Sequence, residues 1–152
     1  MSKLTIVASA ALAALVVSGT AAPAANQAMN PRLVRTIMDR QLGQVLTTPE
    51  KQAIYIWKSE PMGKIRCTGA CAKAWPPVLV KKGVVVPMHY SGIKGDFGTI
   101  RRPDGSRQLT LDRRALYTYA HEKPAQVLCN NVDNWFAVKI KKACAVGAHL
   151  IG

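Results

Sequence analysis

Acidic residues are scarce in this chain. Asp and Glu number 8 against 21 Lys and Arg, which leaves a formal net charge of +13 over 152 residues. A surface so short of carboxylates is a poor match for cations and a good one for acidic partners. Long apolar runs are also missing: the stretch from Leu4 to Val17 falls short of the roughly 20 residues that a membrane-spanning helix needs. No transmembrane segment is therefore expected. Serine is sparse and none sits in a nucleophile elbow, so no Ser-His-Asp constellation is assigned. Gly95-Asp96-Phe97-Gly98 lacks the Lys and the helix start of a phosphate-cradling loop. Neither a Cys-x-x-Cys-His haem motif nor a helix-turn-helix or RNA-recognition pattern occurs. These absences leave no catalytic residue and no cofactor to assign.

What is present begins with an export signal. Lys3, the apolar run to Val17 and the small-residue segment Ala22-Pro23-Ala24 have the three-part layout of a secretory signal peptide. Residues 1–24 are read as signal and 25–152 as a single domain, periplasmic or secreted from a bacterium. Export takes the protein away from nucleic acid, so its basic charge points to an anionic envelope component or an acidic protein. The cations are spread out, in pairs at Lys81-Lys82, Arg101-Arg102 and Arg113-Arg114 and in a cluster from Lys139 to Lys142. A soluble basic surface with no particular ligand accounts for them equally well. Cys67, Cys71, Cys129 and Cys144 make an even count in an exported chain and read as two disulfides, with all three connectivities open.

One phrase occurs twice. YIWKSEPMGKIRC, 55–67, and YTYAHEKPAQVLC, 117–129, share Tyr-x-aromatic-x-x-Glu, then six residues and a Cys. Around them Leu42-Gly43-Gln44-Val45 matches Phe97-Gly98-Thr99-Ile100, and Trp75 matches Trp135, in the same order. The chain reads as two diverged β repeats, about 42–77 and about 97–138, the second with extra residues in SRQLTLDRR. Each half is strand, turn, strand, around Thr48-Pro49-Glu50 in one and Pro103-Asp104-Gly105-Ser106 in the other. A short helix is expected over 67–75, stopped by Pro76-Pro77; 30–40 reads as a strand and 78–88 as a hairpin or bulged strand. The fold class is mainly β: a small antiparallel domain of about seven strands with one short inserted helix, each half completing the other's core.

The segment Tyr55 to Glu60, followed by Cys67-Thr68-Gly69-Ala70-Cys71 and Trp75-Pro76-Pro77 and then by Gly95 to Ile100, resembles a bacterial family. It is the secreted-repeat, or predicted lipoprotein, family of envelope proteins, defined by a Tyr-x-aromatic-x-x-Asp motif. The resemblance covers about 42–138 and implies an exported, often lipid-anchored protein of unestablished activity. Here Glu60 and Glu122 stand in place of the motif Asp, and the lipid-acceptor Cys is missing. Cys129 and Cys144 look like additions to the family's Cys67 and Cys71, which implies that 67 pairs with 71 and 129 with 144.

Tyr55 and Trp57 are two apart, as are Tyr117 and Tyr119, so on a strand each pair presents both rings to one face. That face reads first as core, with Glu60 and Glu122 accepting hydrogen bonds from tyrosine hydroxyls or capping a turn. Trp75, Pro76, Pro77 and Trp135 read as packing residues. Two functional alternatives compete with a non-catalytic binding or structural module. In one, Cys67 and Cys71 hold copper or carry thiol redox chemistry, with Met88, His89, His121 and His149 as scattered further ligands; disulfide formation opposes this, and no metal ligand is assigned. In the other, Glu60 and Glu122 approach one another as the paired carboxylates of a glycan hydrolase.

Overall fold

The computed structural model describes residues 32–140. The expected signal segment 1–24 and its expected cleavage site, together with Cys144, His149, Lys141 and Lys142, lie outside the described residues. Eight strands and one helix follow in order: β1 Arg35–Asp39, β2 Gly43–Thr47, β3 Tyr55–Trp57, α1 Ala70–Ala74, β4 Leu79–Val80, β5 Phe97–Arg101, β6 Arg107–Leu111, β7 Arg114–Ala115 and β8 Trp135–Ala137. The domain is mainly β, and every strand pair is antiparallel. β1 pairs with β2 and β3 with β8, while β6 is flanked by β4 and β5 and also pairs with β7. Backbone bonds knit these sheets together: Leu46 N–H donates to Val138, Val138 N–H to Ile54, and Ile54 N–H back to Leu46, each at 2.9 Å.

The strands fall where the pattern places them at 35–39, 43–47, 97–101 and 107–111. At 78–88 the structure corrects the expected hairpin, because only Leu79–Val80 pairs. Lys81 starts a turn through Gly83, whose φ of +84° suits a residue without a Cβ, and the chain beyond it forms no ladder. The helix spans only Ala70–Ala74 and buries none of its residues. Gly69 at φ 56° blocks it in front, and Trp75-Pro76-Pro77 ends it behind. One basic residue is also corrected: Arg102, grouped with the surface cations by sequence, is buried at 5% exposure. Its guanidinium donates to Gln108 Oε1 and, at 2.9 Å, to the Cys67 carbonyl.

The central segments are buried on both faces. Val45, Ala53, Tyr55, Ala115, Tyr117, Trp135 and Ala137 point into an aromatic cluster together with Cys67. The residues between them, Leu46, Ile54, Leu116 and Val138, point the other way into an aliphatic cluster with Leu109, Leu111 and Ile140. Period-two alternation thus separates two cores, one on each side of a shared layer. That is why 53–57 reads as an unbroken apolar run rather than as apolar and polar in turn.

Candidate functional site

The two motif tyrosines meet at the centre of this layer. Tyr55 N–H donates to the Tyr117 carbonyl at 2.8 Å and Tyr117 N–H to the Tyr55 carbonyl at 3.0 Å, a reciprocal antiparallel bridge. From that crossing the side chains exchange partners. The Tyr117 hydroxyl donates to Glu60, 2.9 Å from each carboxylate oxygen, while the Tyr55 hydroxyl donates to Glu122 Oε1. Each tyrosine therefore serves the carboxylate of the other motif.

Each carboxylate also closes the loop that follows it. Glu60 Oε1 accepts the Arg66 amide at 2.6 Å and the Cys67 amide at 3.1 Å; Glu122 Oε1 accepts the Leu128 amide at 2.6 Å. The Cys129 amide donates to the Tyr55 hydroxyl at 3.4 Å. The spacing of Tyr, Glu and Cys is the spacing of a loop tied to a buried carboxylate. Burial first, and then the hydrogen bond and charge of Glu122, hold the Tyr55 hydroxyl proton on far above its ordinary value of 10.0. Burial first, and then the charge of Glu60, do the same for Tyr117. Both phenols are fixed as donors.

Tyr55, Trp57, Tyr117 and Tyr119 lie on the aromatic side of the layer with Trp75. Trp135 is sandwiched there: Trp75 stacks on it at 3.9 Å and 6° between ring planes, and Trp57 at 5.5 Å and 10°. Tyr119 covers Trp75 at 4.7 Å, and His121 meets the edge of Tyr119 at 5.4 Å. Pro76 and Pro77 lead the chain from Trp75 into contact with the second motif, with the Pro76 carbonyl accepting the Thr118 amide and Pro77 bridging Tyr117.

Cys67 and Cys71 form a disulfide with their Cα atoms 5.2 Å apart. Cys129 has no disulfide partner among the described residues. Burial, then the charge of Glu122, push its thiol up, with the hydrogen bond to Tyr119 opposing them. Met88 and His89 are exposed, and the described residues hold no group of three or more His, Cys, Asp or Glu side chains placed to bind a metal.

A cavity of about 1300 Å³ opens on the other side of the layer. It takes in neither Glu60 nor Glu122 nor any of the stacked tryptophans. Its apolar wall is the margin of the aliphatic core. Ile56 of β3 and Phe136 of β8 are register partners that face away from the tyrosines, and Ile93, Leu111 and Val138 continue the wall. Around it stand Lys58, Lys94, Arg114 and Lys139. None of the four lies within salt-bridge distance of a carboxylate among the described residues; Arg114 donates to the Glu60 backbone carbonyl at 3.3 Å, and the Lys58 ammonium sits 3.9 Å over the Phe136 ring. The two acids at the cavity are engaged with one another and with His89. Asp112 accepts the Asp96 amide at 2.8 Å, and Asp96 approaches His89 at 3.5 Å.

Sequence reasoning missed this cavity, because its cations come from four separate segments and only Arg114 and Lys139 belong to the basic clusters visible in the chain. It missed Arg102 and Gln108 too. On β6 Gln108 falls with Thr110 in the polar phase of the alternation and so carries no sequence signal, yet it is buried and its amide bonds the Leu116 carbonyl at 2.7 Å. Among the described residues no helix is long and apolar enough to cross a membrane. Comparison of the chain with protein-family models, with curated proteins and with solved structures finds no match.

Proposed function

We propose that this chain is a non-catalytic binding module of the bacterial envelope, exported to the periplasm or secreted, that holds an anionic component in its basic cavity. One observation carries the reading: four cations without carboxylate partners among the described residues surround a large open cavity in a chain of net charge +13. The disulfide between Cys67 and Cys71 favours an oxidising compartment and leaves those sulfurs no thiolate with which to bind copper. Against glycan hydrolysis, Glu60 and Glu122 are bound to tyrosine hydroxyls and loop amides and stand away from the cavity.

The doubled motif supports an origin by duplication within the secreted-repeat family, since each copy ties the loop that follows to its own carboxylate and lends its tyrosine to the other. Cys129 pairs with Cys144 in this proposal.

Co-sedimentation with phosphatidylglycerol vesicles and with anionic wall polymers, at rising salt, tests the reading. Binding should weaken with ionic strength, and Lys58→Gln combined with Lys94→Gln and Lys139→Gln should abolish it. Equal retention by the triple variant overturns the cavity as the site. Intact mass spectrometry of protein exported by cells should show loss of residues 1–24 and two disulfides.

A further inference from the structure

We infer that the cavity takes a single-chain amphiphile with an anionic head, a lysophospholipid shed from an acidic membrane. The inference rests on the anion-binding reading and adds the class of ligand. Its basis is the kind of apolar surface that the cavity presents. Ile56, Ile93, Leu111 and Val138 belong to or pack against the aliphatic cluster, so an alkyl chain lying on them extends that core. Met62, at the margin, is 52% exposed and adds a flexible apolar side chain suited to irregular surfaces.

A sugar polymer would ask for flat aromatic platforms. Those exist in this protein, but Trp57, Trp75 and Trp135 are stacked on one another on the opposite side of the layer. Among the described residues the aromatic rings in the cavity wall are Phe136, which the Lys58 ammonium already covers, and the imidazole of His89, which is engaged with Asp96. The ammonium groups of Lys94 and Lys139 are left for the head, with no carboxylate among the described residues to compete within salt-bridge range. A volume of about 1300 Å³ exceeds the few hundred to roughly 1,000 Å³ of a drug-sized pocket and leaves room for a chain as well as a head.

The test is calorimetric titration of the exported protein with palmitoyl-lysophosphatidylglycerol below its micelle concentration. The comparison ligands are palmitoyl-lysophosphatidylcholine, glycerol phosphate and an oligogalacturonate. The anionic lysolipid should bind at least about tenfold more tightly than the zwitterionic one, and glycerol phosphate more weakly than either. Met62→Glu, at an exposed site, should weaken lysolipid binding by a similar factor while leaving the thermal midpoint unchanged, and so should Lys94→Gln with Lys139→Gln. Equal affinity for the two lysolipids, or no change with Met62→Glu, overturns the inference. If oligogalacturonate or glycerol phosphate binds and the lysolipid does not, the anion-binding reading stands and this one falls; if no anion binds, both fall.

Discussion

Glu60 and Glu122 occupy matching places in the two motifs and are about equally buried, at 4% and 5% exposure, yet their surroundings differ. Glu60 uses both oxygens: Tyr117 reaches each of them, and two loop amides bind Oε1. The loop it closes is also stapled, by Cys67–Cys71. Glu122 gathers its donors on Oε1, and Oε2 is buried with no hydrogen-bond partner among the described residues. Beside it Cys129 has no disulfide partner among the described residues. One motif is saturated and the other is not, so substitutions that are chemically alike should differ in effect.

The largest effect should come from Glu60→Leu, which strands the Tyr117 hydroxyl and two amides and should destabilise by roughly 4 kcal/mol in urea denaturation. Loss of the disulfide by Cys71→Ser should remove about 2 kcal/mol, as expected for so short a loop. Cys129→Ser, assayed with a reductant present, should alter stability much less. The amide substitutions separate the two motifs most sharply. Glu60→Gln puts an N–H₂ where Tyr117 needs an acceptor and should destabilise by about 2 kcal/mol; Glu122→Gln can turn its N–H₂ to the unpartnered side and should cost less than about 1 kcal/mol. Equal losses at the two sites would show that Oε2 of Glu122 is as well served as its counterpart.

Alkali offers a smaller, shared readout. Tyr55 and Tyr117 both hold their protons above the ordinary value of 10.0, so the folded state binds protons that the unfolded state releases. Their contribution is intact below about pH 10, the unfolded value, and is lost as pH rises from there toward the folded values. The thermal midpoint should therefore fall above about pH 10, and less steeply in the Tyr55→Phe with Tyr117→Phe variant once its lower starting stability is subtracted.

Much of the architecture was legible because strands declare themselves locally. Gly43–Thr47, Phe97–Arg101 and Arg107–Leu111 fall within the expected strands, and the Pro103-Asp104-Gly105-Ser106 turn joins the last two with Gly105 at φ 83°. The two-residue spacing of Tyr55 and Trp57 put both rings on one face, and both lie in the aromatic cluster. The stretch 78–88 misled because its valines favour strand, whereas only two of its residues find a ladder to join. Arg102 misled because neighbouring charges look alike in sequence, and β alternation sends Arg101 outward and Arg102 inward to Gln108.

By itself the sequence determined a mainly β chain, the positions of most strands, the pairing of aromatic residues on one face and the recurrence of Tyr, Glu and Cys at one spacing. Each depends on neighbours in the chain, and backbone periodicity fixes which side of a strand a residue takes. Tertiary structure alone decided that Tyr55 serves Glu122 and Tyr117 serves Glu60, since that exchange follows from two distant segments pairing in one register. It decided the cavity too. Lys58, Lys94, Arg114 and Lys139 come to line one cavity only when the strands and loops that carry them close around the margin of the aliphatic core.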